Sequence, residues 1–409
     1  MELTVVESKY PMIPVEEALR IVLEHTPVLE PRAVPFDRAL GLVLAEDIRA
    51  DEDMPPFPAS AKDGYAVVAA DRSPMRRLVG EQTAGFVADL RVEPGTAARI
   101  TTGAPLPPGA DAVVMVEFTE EYGDQVAIRK RVKAGDDVRP AGQDIARGEL
   151  VLRRGTLLGA AEVGLLATIG YTVVKVYPHP KVAVLSTGNE LVEPHQTPGP
   201  GEIRDSNRYA LLAAVERAGA ESISLGMARD EVKELEAKVR EGLDKADVLL
   251  TSGGVSMGKL DLVKPLLERL GTVHFGRVFM KPGKPVTFAT VGERLVFALP
   301  GFPVSSQVAF ELFVRPALLK MAGHARLQRP RREVILTHDI RHSRDRTEYQ
   351  RAAVTSRDGQ YYATTTGSQV SGRLLSMVGA NALLRLPHGH GDFAVGQKVE
   401  AILIGEIDG

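Results

Sequence analysis

The 409-residue sequence contains no cysteine. That absence excludes disulfides, thiolate zinc sites, iron–sulfur clusters and a thiol nucleophile, and it fits a reducing cytoplasm. A surplus of positive charge is also lacking. Lys and Arg total 50 against 53 Asp and Glu, a net charge of −3. No global positive field therefore draws the chain to nucleic acid or to an anionic membrane. Long hydrophobic runs are missing too. The N-terminal stretch MELTVVESKYPMIPVEE carries glutamates and no extended apolar core, so it does not read as a signal peptide. The most apolar stretch, LVFALPGFPVSSQVAFELFVRPALLKM, is broken by Pro300, Gly301, Pro303, Glu311, Arg315 and Pro316. A membrane helix needs about 20 largely apolar residues. A cytoplasmic protein with no membrane and no nucleic-acid partner is expected.

What is present is ordinary globular composition, 44% hydrophobic and 25% charged. At roughly 150 residues per domain the length suggests about three domains. Residues 15–26, VEEALRIVLEHT, place Ala18, Leu19, Val22 and Leu23 at helical spacing. Residues 76–157 read as short strands with turn signals, a β-rich region, and 159–170 as a short apolar helix ended by Gly170. From 181 strands and helices alternate. KVAVLSTG, ESISLGMA and DVLLTSGG are strands, and DSNRYALLAAVERAG, DEVKELEAKVREGL and LDLVKPLLERLG are helices, the first capped by Asp205 or Ser206. KPVTFATVGERLVFALPG reads as two strands, and SSQVAFELFVRPALLKMAG as one long closing helix. This alternation predicts a mainly parallel, three-layer α/β domain. After a linker at 324–333 the chain reads as a small all-β domain, with Arg357-Asp358-Gly359 as a hairpin turn.

Three polar loops leave strands of the α/β pattern: STGNEL (186–191), TSGGVSMGKLD (251–261) and PGFPVSS (300–306). In an open α/β sheet ligands bind outside the carboxyl ends of the strands. Glycine lets backbone approach a ligand and expose N–H donors, and the following helices add free N–H groups and a positive dipole end. Such loops hold a phosphate-rich ligand with few cationic side chains, although any one of them taken alone also reads as a plain connecting turn. Gly253, Gly258 and Lys259 begin a P-loop pattern, but Leu260 stands where Ser or Thr would reach Mg²⁺. There is no G-x-G-x-x-G after a strand, which argues against a dinucleotide fold. In MKPGKP, Lys281 and Lys284 flank Pro282-Gly283. Two cations on a stiffened turn suit an oxyanion or a pyrophosphate, or are simply solvated turn lysines. His388 and His390 have no third ligand nearby in sequence and read as a turn.

Read together, these segments resemble the molybdopterin molybdenumtransferase (MoeA) family, which is related to the E domain of gephyrin. SAKDGYA (60–66), ITTGAPLPPGADAVVMVE (100–117), RPAGQDI (139–145), STGNEL, TSGGVSMGKLD, KPGKP and PGFPVSS occur in the family's order across about 300 residues. The resemblance implies a multidomain α/β plus β protein. Residues 1–26 with 45–53 and 138–177 would form an elongated N-terminal domain, and 27–44 with 54–137 an inserted β-rich domain. Residues 178–326 would form an α/β domain of the molybdopterin-adenylyltransferase type, and 327–409 a small C-terminal β-barrel. It also implies a homodimer, in which the α/β cleft of one subunit meets the inserted and C-terminal domains of the other. The implied reaction transfers molybdenum from molybdate to adenylated molybdopterin, with release of AMP and help from Mg²⁺. The molybdopterin adenylyltransferase and molybdoenzyme-loading proteins are candidate partners. Two other readings use the same motifs: a pterin-nucleotide adenylyltransferase or hydrolase, and a non-catalytic gephyrin-like scaffold.

Carried onto this sequence, the resemblance assigns chemistry to Asp63, Asp144, Asp261, Lys281 and Lys284. Metal ligation falls to Glu190, Asp230 and Asp261, since Mg²⁺ prefers oxygen and often takes only one or two carboxylates plus phosphates. Substrate binding falls to Thr102, Ser186, Thr187, Gly188, Glu190, Ser252, Gly253, Gly254, Ser256, Pro300 and Gly301, with Arg351 and Ser371 near the molybdate pocket. Bland alternatives stand beside several of these. Asp63 and Asp144 also suit turns, Asp230 suits a helix N-cap, and Arg351 suits a surface strand. Three residues depart from the family pattern: Lys62 for Met before Asp63, Asn189 for Asp before Glu190, and Phe302 for Asn in the 300–306 loop.

Overall fold

The computed structural model describes residues 10–254 and 262–407. The chain forms two compact units, one from residues 1–32, 41–43 and 176–409, the other from residues 33–40 and 44–175.

The first unit opens with helix α1 (Val15–His25), whose Val15, Ala18 and Val22 are buried at the spacing expected of one helical face. Its centre is a six-stranded sheet of β1 (Lys181–Thr187), β2 (Glu221–Ala228), β3 (Val248–Ser252), β4 (Thr272–Phe275), β5 (Thr287–Val291) and β6 (Arg294–Leu299). The spatial order is β2-β1-β3-β6-β5-β4. β2, β1, β3 and β6 are mutually parallel; at the far edge β5 runs antiparallel to β6, and β4, antiparallel to β5, points the same way as the four. The sheet is thus mainly parallel, as expected, with β4 an addition that its short sequence did not signal.

Val182, Val184, Val248, Leu250 and Phe297 lie in one apolar layer with Leu211 and Val215. Their neighbours Ala183, Leu185, Leu249, Val296 and Ala298 lie in another with Leu235, Val239 and Leu266. Alternate residues feed opposite faces, and both faces are covered, so the strands read as unbroken apolar runs. The covering helices are α2 (Asn207–Arg217), α3 (Val232–Lys245), α4 (Val263–Leu270), α5 (Pro303–Ala309) and α6 (Arg315–Met321). The expected single long closing helix is instead α5 and α6 joined by a π turn, Phe310–Val314. Pro316 explains the break: it has no N–H, and its ring clashes with the carbonyl four residues back.

The C-terminal part is a β-barrel of β7 (Arg331–Leu336), β8 (Thr347–Arg357), β9 (Gln360–Thr365), β10 (Ala382–Leu386) and β11 (Lys398–Leu403). It closes because β8 pairs with both β9 and β10. Asp358 and Gly359 have φ of 50° and 73°, the paired positive values of a two-residue hairpin turn. One further strand joins this sheet. Met280–Lys281 pairs in parallel with Thr347–Glu348, so the lysine turn is stitched to the barrel by its backbone.

The second unit is built on a six-stranded sheet from Gly64–Val67, Met75–Gln82, Thr96–Ile100, Ala112–Met115, Thr119–Tyr122 and Gln125–Ile128. Buried Ala66, Ala98, Ile100 and Val113 pack one face, and Tyr65, Ala97, Val114 and Val126 the other. Helix Ala160–Thr168 follows, with Gly170 at φ 70° just beyond its end. Among the described residues no helix is long and apolar enough to cross a membrane.

Candidate active site

Strand β1 has β2 on one side and β3 on the other, because the chain leaves it in one direction and returns in the other. The crevice at that reversal is where an α/β sheet offers a ligand site. Ser186 pairs with Ser252, and Ser252 with Leu299, so β1, β3 and β6 all stop at one level. The 188, 253 and 300 loops therefore open side by side. They bound a cleft of about 1110 Å³, which Lys281, Lys284 and the 369–372 segment also line.

Gly253 shows why this rim is poor in side chains. Its φ is +98°, and a Cβ there would stand 2.4 Å from the Thr187 carbonyl oxygen. Any side chain would pry β1 from β3. The glycines do not, however, supply all the donors expected of them. Gly188 N–H donates to the Ala228 carbonyl at 3.1 Å and Gly253 N–H to that of Leu299 at 3.1 Å. These two residues contribute shape, because their amides are committed to closing the strand ends.

The hydroxyls divide in the same manner. Ser186 Oγ donates to Asp205 Oδ1 at 2.9 Å, so its proton is occupied. Asn207 Nδ2 donates to Ser252 Oγ at 2.7 Å and to the Gly301 carbonyl at 2.7 Å. Ser252 is the acceptor there and keeps its own proton for the cleft. Asn207 ties the end of β3 to the 300 loop, a role that the DSNR stretch does not show in sequence, where it signals only a helix start. Ser206 holds the N-cap position without a side-chain bond, and Asp205 before it accepts from Arg208 N–H at 3.1 Å. It also takes the Arg208 guanidinium at 2.9 Å, and that guanidinium reaches Glu193 at 2.7 Å. Asp205 and Arg208 are both buried, so the rim rests on a desolvated ionic network.

Glu190 and Asp230 both line the cleft. Asp230 is not a helix cap. Helix α3 begins after Glu231, which holds the N-cap position with no side-chain bond. Asp230 N–H instead donates to Asn189 Oδ1 at 3.1 Å. The residue that replaces the family's carboxylate thus ties one acidic loop to the other. Asp261 and Ser256 lie outside the described residues. Among the described residues no group of three His, Asp or Glu gathers as a metal site. Two carboxylates in a cleft still suit a cation that completes its shell with phosphate oxygens and water.

The comparisons with known proteins agree with this geometry. Residues 13–170 match the family described as MoeA N-terminal region (domain I and II), 183–320 the probable molybdopterin binding domain, and 333–404 the MoeA C-terminal region (domain IV). A gephyrin from Dictyostelium discoideum is 41% identical over 98% of this chain, which spans 63% of that protein. The molybdopterin molybdenumtransferase of Bacillus subtilis is 36% identical over 97% of this chain and 95% of its own length. The chain belongs to the MoeA family. A crystal structure of the molybdopterin biosynthesis MoeA protein from Pyrococcus horikoshii OT3 matches with a TM-score of 0.78 and 31% identity, covering 96% of this chain and 100% of that one. The fold is thus a MoeA fold, α/β with β-rich parts and a five-stranded C-terminal barrel.

Against the MoeA family's expectations the structure sorts the remaining assignments. Ser186, Thr187, Gly188, Glu190, Asp230, Ser252, Gly253, Gly254, Lys281, Lys284, Pro300, Gly301 and Ser371 all line the one cleft. Asp63, Thr102 and Asp144 belong to the second unit. There Asp63 and Thr102 meet: Thr102 N–H donates to Asp63 Oδ1 at 2.6 Å and Thr102 Oγ1 at 2.9 Å. Those bonds hold the Asp63 carboxyl below its ordinary range. Asp144 pairs with Arg139.

Arg351 requires a correction. It is fully buried on the face of β8 opposite the barrel-core residues Ala352 and Val354, and is not among the cleft-lining residues. Its Nε donates to Ser376 Oγ at 3.1 Å, and its N–H to Gln369 Oε1 at 2.8 Å. Arg351 braces, from beneath, the loop that carries Ser371 to the cleft. Arg346, which the sequence reading passed over, lines the cleft instead. The barrel of the same chain also contributes: Gln369, Ser371 and Arg346 reach this cleft. The parallel pairing of Met280–Lys281 with Thr347–Glu348 is the physical reason.

Proposed function

We propose that this chain is a molybdopterin molybdenumtransferase of molybdenum cofactor biosynthesis, acting on adenylated molybdopterin and molybdate and releasing AMP. The observation that supports this most is the meeting of three hydroxyl- and glycine-bearing strand ends with Lys281 and Lys284 in one cleft. A pyrophosphate ester needs donors set close to backbone, and a tetrahedral dianion needs fixed ammonium groups. Ser252 supplies a hydroxyl proton, and the lysines supply positive charge. The cleft volume, about 1110 Å³, accommodates a ligand with a nucleotide at one end and a pterin at the other.

Mg²⁺ is proposed as the cation. Glu190 and Asp230 would hold it, joined by Asp261, and when bound it would supply Lewis-acid stabilisation to the anhydride oxygens. Hydrolysis of the phosphoanhydride consumes one water and leaves AMP and the pterin phosphate, while the two dithiolene sulfurs replace one oxygen of molybdate, which departs with their two protons as water, molybdenum keeping its oxidation state. We further propose a homodimer, in which Asp63, Thr102 and Asp144 of one chain complete the cleft of the other.

Incubation of the purified chain with adenylated molybdopterin, Mg²⁺ and molybdate tests the reading. AMP release that depends on molybdate is expected. Turnover from molybdopterin and ATP without molybdate would instead make the chain an adenylyltransferase. Failure to bind any adenylated pterin would leave a scaffold.

A further inference from the structure

Lys281 stands on a wall shared by two cavities. One is the cleft, and the other is a smaller space of about 440 Å³, lined also by His338, Arg341, Glu348 and Gln350. Behind that wall lies a buried polar chain that the reading above does not use. Lys281 Nζ is 3.2 Å from Glu348 Oε1, and the two residues are direct partners in the parallel pairing. Glu348 Oε2 is 3.0 Å from His342 Nδ1, and His342 Nε2 is 2.9 Å from the Pro387 carbonyl oxygen. His342 N–H is fixed in turn by Asp392 at 2.8 Å. The side chain of Glu348 is 4% exposed and that of His342 0%, whereas Lys281 is 41% exposed.

The proton positions follow from the partners. A carbonyl only accepts, so His342 Nε2 carries a proton. A second proton must lie between Nδ1 and Oε2, since two lone pairs would otherwise face each other at hydrogen-bond distance. The His342–Glu348 pair is therefore neutral as a unit and does not cancel the charge of the Lys281 ammonium beside it. An ammonium has three donors. The ion pair with Glu348 leaves donors for a ligand. A lysine without such an anchor would lose its rotamer freedom only on binding.

We propose that Glu348, backed by His342, is a positioning residue that presents the Lys281 ammonium to the oxyanion substrate. Because this rests on the reading of molybdate as that oxyanion, the test measures binding rather than turnover. Equilibrium dialysis of the full-length chain against molybdate alone compares wild type, Glu348→Gln, Lys281→Met and the double variant. Glu348→Gln is expected to weaken molybdate binding roughly tenfold. The double variant should bind no more weakly than Lys281→Met, since Glu348 acts only through Lys281. A merely structural glutamate would give factors that multiply. Wild-type affinity in Glu348→Gln, or multiplying factors, overturns the proposal. Should Glu348→Gln fail to fold, Glu348→Asp keeps the charge but withdraws it by one methylene. It should weaken binding about threefold, and unchanged affinity again overturns the assignment. Lys281-dependent molybdate binding without AMP release would defeat the proposed reaction and leave the positioning role intact.

Discussion

In the α/β sheet of the first unit, polar groups gather where strands stop; in the C-terminal barrel, they sit in the body of a strand. Ser186, Ser252 and the glycines after them mark the ends of β1 and β3, whose remaining residues are mostly buried and apolar. In β8, residues 347–352 are all buried, and they include Glu348, Gln350 and Arg351. The first arrangement uses geometry that glycine and hydroxyl residues specify locally. The second uses ionic side chains placed inside a core, where each needs a partner from elsewhere in the fold. The difference shows two ways of building a polar site, one that shapes its rim with strand-end backbone over a buried ionic brace, and one that places ionic side chains within the strand itself.

The comparison predicts a graded set of effects. The largest is at Asp205, the buried carboxylate that links the rim hydroxyl of Ser186 to Arg208. Asp205→Ala leaves the buried Arg208 with Glu193 as its remaining carboxylate partner and should cost about 3–5 kcal/mol, read from urea unfolding. A smaller loss would mean that the rim holds its shape without ionic support.

The second tests whether a buried pair closed by backbone donors behaves likewise in the other unit. Burial pushes the Asp71 carboxyl up, but the N–H groups of Ser73 and Gly95 and the nearby Arg76 outweigh it, leaving the carboxyl at about 2. Its folded value is thus depressed. The stabilisation, about 2 kcal/mol, is full above roughly pH 4 and lost as pH falls through about 2. Asp71→Asn should lower stability by that amount at neutral pH and flatten its decline between pH 4 and 2.

Arg351→Met probes the barrel's contrasting case. Burial pushes the Arg351 guanidinium down to about 10, with Glu348 pulling the other way. Ser376 Oγ keeps its bond to the Arg373 carbonyl at 2.7 Å, so a methionine of similar bulk strands little. A thermal unfolding change equivalent to about 1 kcal/mol is expected. The smallest effect concerns Phe302, which lines the cleft and is 63% exposed. Under the proposed function, Phe302→Ala should raise KM for the adenylated pterin about threefold by removing a flat apolar contact.

The rim was legible in the sequence because its cues are local. TSGG after an apolar run, STGN after another and PGFP after a third each announce a strand end. The three-layer core was legible for the same reason, from unbroken apolar strands between amphipathic helices. What stayed hidden depended on distant partners. TEYQRAAVTSR contains no feature that separates a buried glutamate from an exposed one, and only the pairing with Met280–Lys281 reveals it. Asn207 looked like a helix start because its two acceptors lie 45 and 94 residues away. The π turn at Phe310–Val314 was announced by Pro316, whose effect on the preceding turn the helical periodicity had masked.

The short parallel strand at Met280–Lys281 has a bearing on how such proteins can be recombined. The lysine turn and its strand partner come from different parts of the fold, Met280–Lys281 from the α/β part and Thr347–Glu348 from the barrel. A chimera that imports a relative's barrel while keeping the native 280–285 turn would have to remake that pairing. Under the proposed function, exchanging both segments together would move the oxyanion preference as a cassette and leave the nucleotide rim behind.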